Sequence, residues 1–321
     1  MKEIGGYFEF ELPKKKQLHG AADFKLNSGR NALQCLLQAK TIKKIYLPFY
    51  CCNSVTSILK RLDIIYEFYK IDENFYPADQ FSLEEEDYLL YINYFGLCSA
   101  QVQALSRLYA NLIVDNTQAF YAQPLKHVDT FYSPRKFFGV PDGGYLYTMA
   151  SIDNRFPTDC SFQKMDPLLK RIELGAANAY KDYQQAEKEI GNMEVKQMSR
   201  LTERILSSID YEEVGEIRRK NFNFLHKHLG TKNQLSKGLL ELKEPDSIPM
   251  VYPLMTSDLN LRKNLIESGI YVATYWTEVL EAVEEESFEG QLVNLMIPLP
   301  VDQRYTEPDM QRIIDVINKL N

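Results

Sequence analysis

Residue types that usually announce a protein's chemistry are scarce in this chain: four histidines, five cysteines and one tryptophan in 321 residues. His19, His127, His226 and His228 stand at no spacing that would join them to acids or cysteines around a metal, and His226 and His228, two apart on an expected helix, point to different faces. Cys35, Cys51, Cys52, Cys98 and Cys160 are odd in number and include an adjacent pair, which fits neither a zinc pattern nor a disulfide framework. No metal is expected. No apolar run approaches the ~18 residues of a membrane span, and Met1-Lys2-Glu3-Ile4-Gly5-Gly6 lacks a secretory core, so the expected location is the cytoplasm. Basic residues do not predominate: 37 Lys and Arg against 44 Asp and Glu give a net charge of −7, and no nucleic-acid footprint. Lys14-Lys15-Lys16 is too short for a basic patch, and the Glu84–Glu86 and Glu284–Glu286 triplets read as solvated surface. Gly-x-Gly-x-x-Gly and Walker glycine loops are missing, which removes the common dinucleotide and P-loop readings. Internal repeats and low-complexity tracts are absent too.

What remains is an ordinary globular composition, 45% hydrophobic and 25% charged, in a chain long enough for a large and a smaller domain. Short apolar strands are expected at 44–48, 64–71, 88–94, 111–114, 130–132 and 145–148, with helical patterns at 32–38, 54–61 and 100–109. Strands separated by helices of this length imply βαβ crossovers, hence an α/β class with a mostly parallel sheet. From about residue 165 the pattern turns long, polar and helical, from 167 through 207 and again over 213–229. A smaller α+β unit follows, with strands expected at 250–254, 271–273 and 292–297 and a last helix opened by Thr306-Glu307-Pro308-Asp309. The expected division is 1–205 for the large domain and 206–321 for the small one.

The chemically suggestive residues fall just after expected strands, where parallel α/β sheets collect their ligands. Asp115 and Gln118 follow Leu112-Ile113-Val114. Lys136 lies in Ser133-Pro134-Arg135-Lys136-Phe137-Phe138-Gly139, after Thr130-Phe131-Tyr132, and Gly143-Gly144 comes next. A loop lysine that can form a Schiff base, an acid that can pair with a pyridinium nitrogen, and an amide at a strand end are the parts needed to hold pyridoxal phosphate (PLP). Asn27-Ser28-Gly29-Arg30 precedes an apolar helix. Its free N–H groups suit a phosphate, while Ser28 as a plain N-cap explains the same residues.

The order Ser28-Gly29-x-x-Ala32-Leu33, Pro48 after a strand, Tyr94-Phe95-Gly96, Asp115-x-x-Gln118-Ala119, Lys136 and Gly143-Gly144 resembles the DegT/DnrJ/StrS family of aminotransferases, PLP enzymes of fold type I, many of which make amino sugars on nucleotide carriers. Arg218-Arg219-Lys220-Asn221-Phe222 and Ile297-Pro298-Leu299-Pro300 extend the resemblance into the C-terminal part. The resemblance implies that Lys136 holds the cofactor covalently and then moves the substrate proton, that Asp115 keeps the ring nitrogen protonated, and that Gln118 bonds the phenolic oxygen. It further implies that the amides of Gly29 and Arg30 with the Ser133 hydroxyl hold the phosphate, and that Cys52 stands where relatives stack an aromatic on the ring, with Tyr50 or Tyr94 as substitutes. A homodimer with composite sites is implied as well, with an amino acid such as glutamate or glutamine as donor and a nucleotide-linked keto-sugar as acceptor.

The chain departs from the family pattern in places. It is shorter than typical members, Phe131 stands where a serine is usual, and Asn93 replaces a histidine common among sugar aminotransferases. Lysine rather than histidine at 136 favours transamination over the dehydratase branch. Trp276 either lines the pocket or packs the small domain. Two other readings stay open at this point: a fold type I enzyme with a non-sugar substrate or a lyase reaction, and a regulatory module that keeps the fold without the chemistry.

Overall fold

A run of alternating short strands and helices forms the first half of the chain: β1 (Phe24–Leu26), α1 (Gly29–Gln38), β2 (Lys44–Pro48), α2 (Asn53–Arg61), β3 (Ile65–Tyr69), β4 (Asp87–Ile92), α3 (Ser99–Leu108), β5 (Leu112–Asp115), β6 (Asp129–Tyr132) and β7 (Gly144–Tyr147). The structure is a computed structural model that describes residues 4–153, 155–242 and 247–319. The helices follow from apolar spacing and caps. In α1 the buried Leu33, Leu36 and Leu37 recur at helical intervals, and the Ser28 hydroxyl accepts from Asn31 N at 3.0 Å. In α2 the buried face is Val55, Ile58 and Leu59.

The seven strands form one sheet in the order β1-β7-β6-β5-β4-β2-β3. Strands β2 to β6 pair in parallel, while β7 runs antiparallel to both β6 and β1. Every position of β5 and of β6 is buried, so both faces of the sheet centre are covered, as a parallel sheet requires. The expected α/β class and mostly parallel sheet therefore hold. The C-terminal ends of β1, β2, β4, β5 and β6 and the start of β7 all open on one edge, with Asp115 level with Ile92 on one side and Phe131 on the other.

The second half contains α4 (Asp166–Gly191), α5 (Arg200–Leu206), α6 (Tyr211–Leu229), α7 (Lys237–Leu240), β8 (Val251–Met255), α8 (Leu261–Glu267), α9 (Phe288–Leu295), β9 (Met296–Pro300) and α10 (Glu307–Lys319). β8 and β9 form an antiparallel pair. Three expectations are corrected. The helical stretch 167–207 is broken twice, at Gly175, whose φ of 80° is left-handed, and over 192–199. Residues 271–273 form no strand, for no second strand lies beside them. The apolar run 292–297 is divided, its first part finishing a helix capped by Ser287 and its last two residues opening β9. Strand β1 was missing from the sequence reading.

Among the described residues no helix is long and apolar enough to cross a membrane. None of their His, Cys, Asp and Glu side chains gathers in a group of three that could hold a metal.

Candidate active site

Lys136 ends a short 3-10 turn, Pro134–Lys136, that follows β6 directly. Phe137 N and Phe138 N both donate to Pro134 O, at 3.0 and 2.9 Å, so the turn is closed and the lysine is aimed back across the sheet edge. Its Nζ donates to Thr117 Oγ1 at 3.0 Å. Thr117 N in turn donates to Asp115 Oδ1 at 2.8 Å. Asp115 is buried at the end of β5, and burial pushes its carboxyl above the ordinary aspartate range, against the pull of the Lys136 charge and the Thr117 hydrogen bonds. A buried carboxylate in this position favours a cation beside it. Lys136 itself is exposed in the single chain.

Gln118 is buried, and its Oε1 accepts from Phe95 N at 2.8 Å. That bond holds the tight Phe95-Gly96 turn, in which both residues have positive φ (58° and 75°), and it leaves the Gln118 amide NH2 as a donor.

The start of α1 is pressed against β7 and the Lys136 turn. Gly143 N donates to Asn27 O at 2.9 Å, and Ser28 bridges Gly143. A Cβ on Gly29 would lie 3.3 Å from Ser133 Cβ, Thr117 Cγ2 and Tyr132 O, so this position sits at the meeting point of three loops. A Cβ on Gly144 would lie 2.3 Å from the Ser28 carbonyl, which only glycine avoids. The Gly143-Gly144 pair thus acts through backbone approach, letting the strand reach the helix start. The Ser133 hydroxyl is half-buried and makes no side-chain cap to its own turn.

Two guanidinium groups lie beside this helix start. Arg135 pairs with Glu187 of α4, and Arg30 passes over Gly191 at the end of α4. The Nε atoms of both arginines are buried without a hydrogen-bond partner. Burial lowers the Arg30 guanidinium from its usual range.

On the β2 side, Cys52 is the N-cap residue of α2 but gives no side-chain cap. The carboxylate of Glu278 fills that role, accepting from Asn53 N at 3.0 Å. The Cys52 side chain is half-buried at the sheet edge, whereas the neighbouring Cys51 thiol is buried and pushed well up by that burial. Tyr50 and Tyr94 are fully buried and stacked at 5.8 Å, with the Tyr94 hydroxyl donating to Tyr50 O. The Trp276 ring packs edge-on against Tyr50 at 4.6 Å, so packing accounts for it. Asn93 is used internally: it donates to Asn116 Oδ1 and accepts from Cys98 N, both at 3.0 Å.

The sequence-derived residues Asp115, Gln118, Lys136, Ser133, Gly29 and Arg30 therefore gather on one sheet edge, with Cys52 at its β2 end. Four further residues support this edge. Thr117 joins Lys136 to Asp115, and its place between Asp115 and Gln118 was the available signal. Arg218, buried on α6, and Gln303 both donate to Phe137 O, at 3.2 and 2.9 Å, and pin the residue after the lysine. Asp142, buried just before the glycine pair, accepts from Ser199 N, Ser199 Oγ and Thr202 Oγ1, tying α5 to that turn.

The sequence matches no protein-family model, and no curated protein matches it. Solved structures do resemble it. The Streptococcus pneumoniae protein Spr1654 in its PLP form aligns over 93% of this chain and 87% of its own, with a TM-score of 0.60 at 14% identity. The sugar aminotransferase CalS13 from Micromonospora echinospora aligns over 92% and 86%, with a TM-score of 0.59 at 16% identity. A DegT DnrJ EryC1 StrS aminotransferase from Brucella abortus aligns over 92% and 85%, with a TM-score of 0.60 at 14% identity. At such identities the likeness fixes the fold, which is fold type I.

Proposed function

We propose that this chain is a PLP-dependent aminotransferase of the DegT/DnrJ/StrS kind. It carries an amino group from an amino acid, glutamate or glutamine, to a nucleotide-linked keto-sugar. The observation that carries this reading is the convergence of Lys136, Thr117 and Asp115, through bonds of 3.0 and 2.8 Å, beside the start of α1.

The residues present fit the cofactor. A phosphate would meet the first-turn amides of α1, the Ser133 hydroxyl and the unpartnered Nε atoms of Arg30 and Arg135. A protonated ring nitrogen would relieve the buried Asp115 carboxylate. When bound, PLP supplies an electron sink and a carbon on which the amino group travels. The chain supplies the rest. Lys136 Nζ holds the cofactor at rest and, once free, takes a proton from the substrate carbon and returns it. Asp115 would hold charge opposite the ring nitrogen, and the Gln118 NH2 would donate to the ring hydroxyl oxygen. Cys52 would lie beside the ring, where the family resemblance implies an aromatic.

A homodimer belongs to the same reading. In the single chain Lys136 is exposed, and large apolar side chains face solvent: Tyr7 (98%) and Phe8 (92%) near the N-terminus, and Ile172 (80%) on α4. Such side chains favour a covering surface, and twofold closure is its commonest form. Light scattering should report about twice the chain mass of 37.3 kDa.

The test is a half-reaction. Protein loaded with PLP and mixed with glutamate should lose its visible absorption band, release 2-oxoglutarate in equal amount, and regain the band when a keto acceptor is added. With serine in place of glutamate, release of pyruvate and ammonia with loss of water, and no amino group retained on the cofactor, would replace transfer by a lyase reaction. A protein that takes up no PLP would overturn the reading.

A further inference from the structure

We infer that Thr117 is a positioning residue for Lys136: its hydroxyl receives the lysine amine whenever the bond between that amine and the cofactor is broken. The inference rests on the cofactor reading above. Thr117 bonds to two parts of the site and faces a third. Oγ1 accepts from Lys136 Nζ at 3.0 Å, the backbone N donates to Asp115 Oδ1 at 2.8 Å, and Cγ2 lies 3.3 Å from where a Cβ on Gly29 would stand. The Asp115 bond fixes the backbone of Thr117. Rotation about its χ1 is restricted by β-branching. The hydroxyl is therefore aimed before the lysine arrives.

The lysine needs such a partner. Its stem has four rotatable bonds, and Lys136 is exposed on the open side of the single chain, so an unheld amine would spread over many rotamers and into water. No carboxylate lies within ion-pair distance of its Nζ among the described residues, and Thr117 Oγ1 is its hydrogen-bond acceptor there. A neutral hydroxyl holds the amine without binding it as tightly as a carboxylate would, which suits a group that must leave and return. Valine at this position keeps the branched shape and removes the acceptor. Serine keeps the acceptor and removes only the methyl on the Gly29 side.

The experiment compares wild type, Thr117→Val and Thr117→Ser. Cofactor-free protein is mixed with PLP in a stopped-flow spectrometer, and the visible band is followed as Lys136 captures it. Borohydride reduction and peptide mass analysis then verify the attachment point. Thr117→Val should capture PLP about 10-fold more slowly, because the attacking amine is no longer held in place. Its kcat should fall by a similar factor while the donor KM changes less than about twofold. Thr117→Ser should recover most of both rates, which a purely steric role for the residue would not allow. Capture by Thr117→Val at the wild-type rate, or equal slowing by Ser and Val, would overturn the inference while leaving the cofactor reading standing. A wild-type protein that captures no PLP would overturn both. Should the valine variant fail to fold, Thr117→Ala gives the same comparison without a new apolar contact.

Discussion

Gly144 offers a sharp test of how the site is assembled, because its neighbours on the crowded side are backbone atoms. A Cβ built there would stand 2.3 Å from the carbonyl C and O of Ser28 and 2.6 Å from Gly29 N. Ordinary contact begins at 3.4 Å, so Gly144→Ala forces β7 and the start of α1 apart. The required shift is about 1 Å, enough to cost up to roughly 100-fold where reacting groups are displaced by that much. The strain should remove about 1–3 kcal/mol of stability, as overpacking does elsewhere, and lower Tm by several degrees. The loss should be selective as well as global. On the proposed reading the displaced end of α1 would face the phosphate, so affinity for PLP should fall more than affinity for pyridoxal, which lacks the phosphate. Gly139 provides the control, since a Cβ there meets nothing within 4 Å. Gly139→Ala should be neutral or more stable by up to about 1 kcal/mol, through the unfolded chain. The assay is thermal melting with paired titrations of the two aldehydes. A Gly144→Ala protein that melts and binds PLP like wild type would refute the assembly described here.

Two further outcomes follow from buried charge. Arg218, 1% exposed, donates to the carbonyls of Phe137, Pro249 and Met250 and to Gln303 Oε1, with its guanidinium 4.6 Å from the Phe137 ring. Arg218→Met should cost about 3 kcal/mol or more in a denaturant titration, because several buried acceptors lose their donor at once; a loss under about 1 kcal/mol would show that water replaces it. Burial raises the Asp115 carboxyl, so the proton is held more tightly in the folded chain, and its contribution to stability is present at low pH and lost as pH rises through the raised value. Cofactor-free Asp115→Asn should therefore be more stable than wild type near pH 7 and flatter in its Tm profile between about pH 4 and pH 7. The same change should slow the glutamate half-reaction at least about 100-fold, or about 2.7 kcal/mol in transition-state stabilisation. Parallel melting profiles and native rates would place another acid opposite the ring.

The parts legible in the sequence are those where local pattern and tertiary environment agree. Leu112-Ile113-Val114 reads as a buried strand because every position of β5 is covered, and the residues that follow it must then lie at the sheet edge. That is why Asp115, Gln118 and Lys136 could be placed together at the sheet edge from the sequence. β1 was not legible, since Phe24-Lys25-Leu26 is three residues long with a lysine at its centre and is held by distant segments, β7 on one side and residues 197–198 on the other. Tyr271-Val272-Ala273 has strand propensity but no partner strand, and propensity alone does not satisfy backbone groups. For Thr117 the sequence offers only its place between Asp115 and Gln118, and its contact with Lys136 is a product of the fold. The turn after β6 brings Lys136 to it, and Arg218 reaches Phe137 from 81 residues away.

The central claim is that Lys136 is the attachment point of PLP. Its direct test is borohydride reduction of the PLP-treated protein followed by peptide mapping. The expected result is a single pyridoxyl-bearing peptide containing Lys136, abolished in Lys136→Ala. Label spread over surface lysines, or a stoichiometric label elsewhere that survives Lys136→Ala, would contradict it.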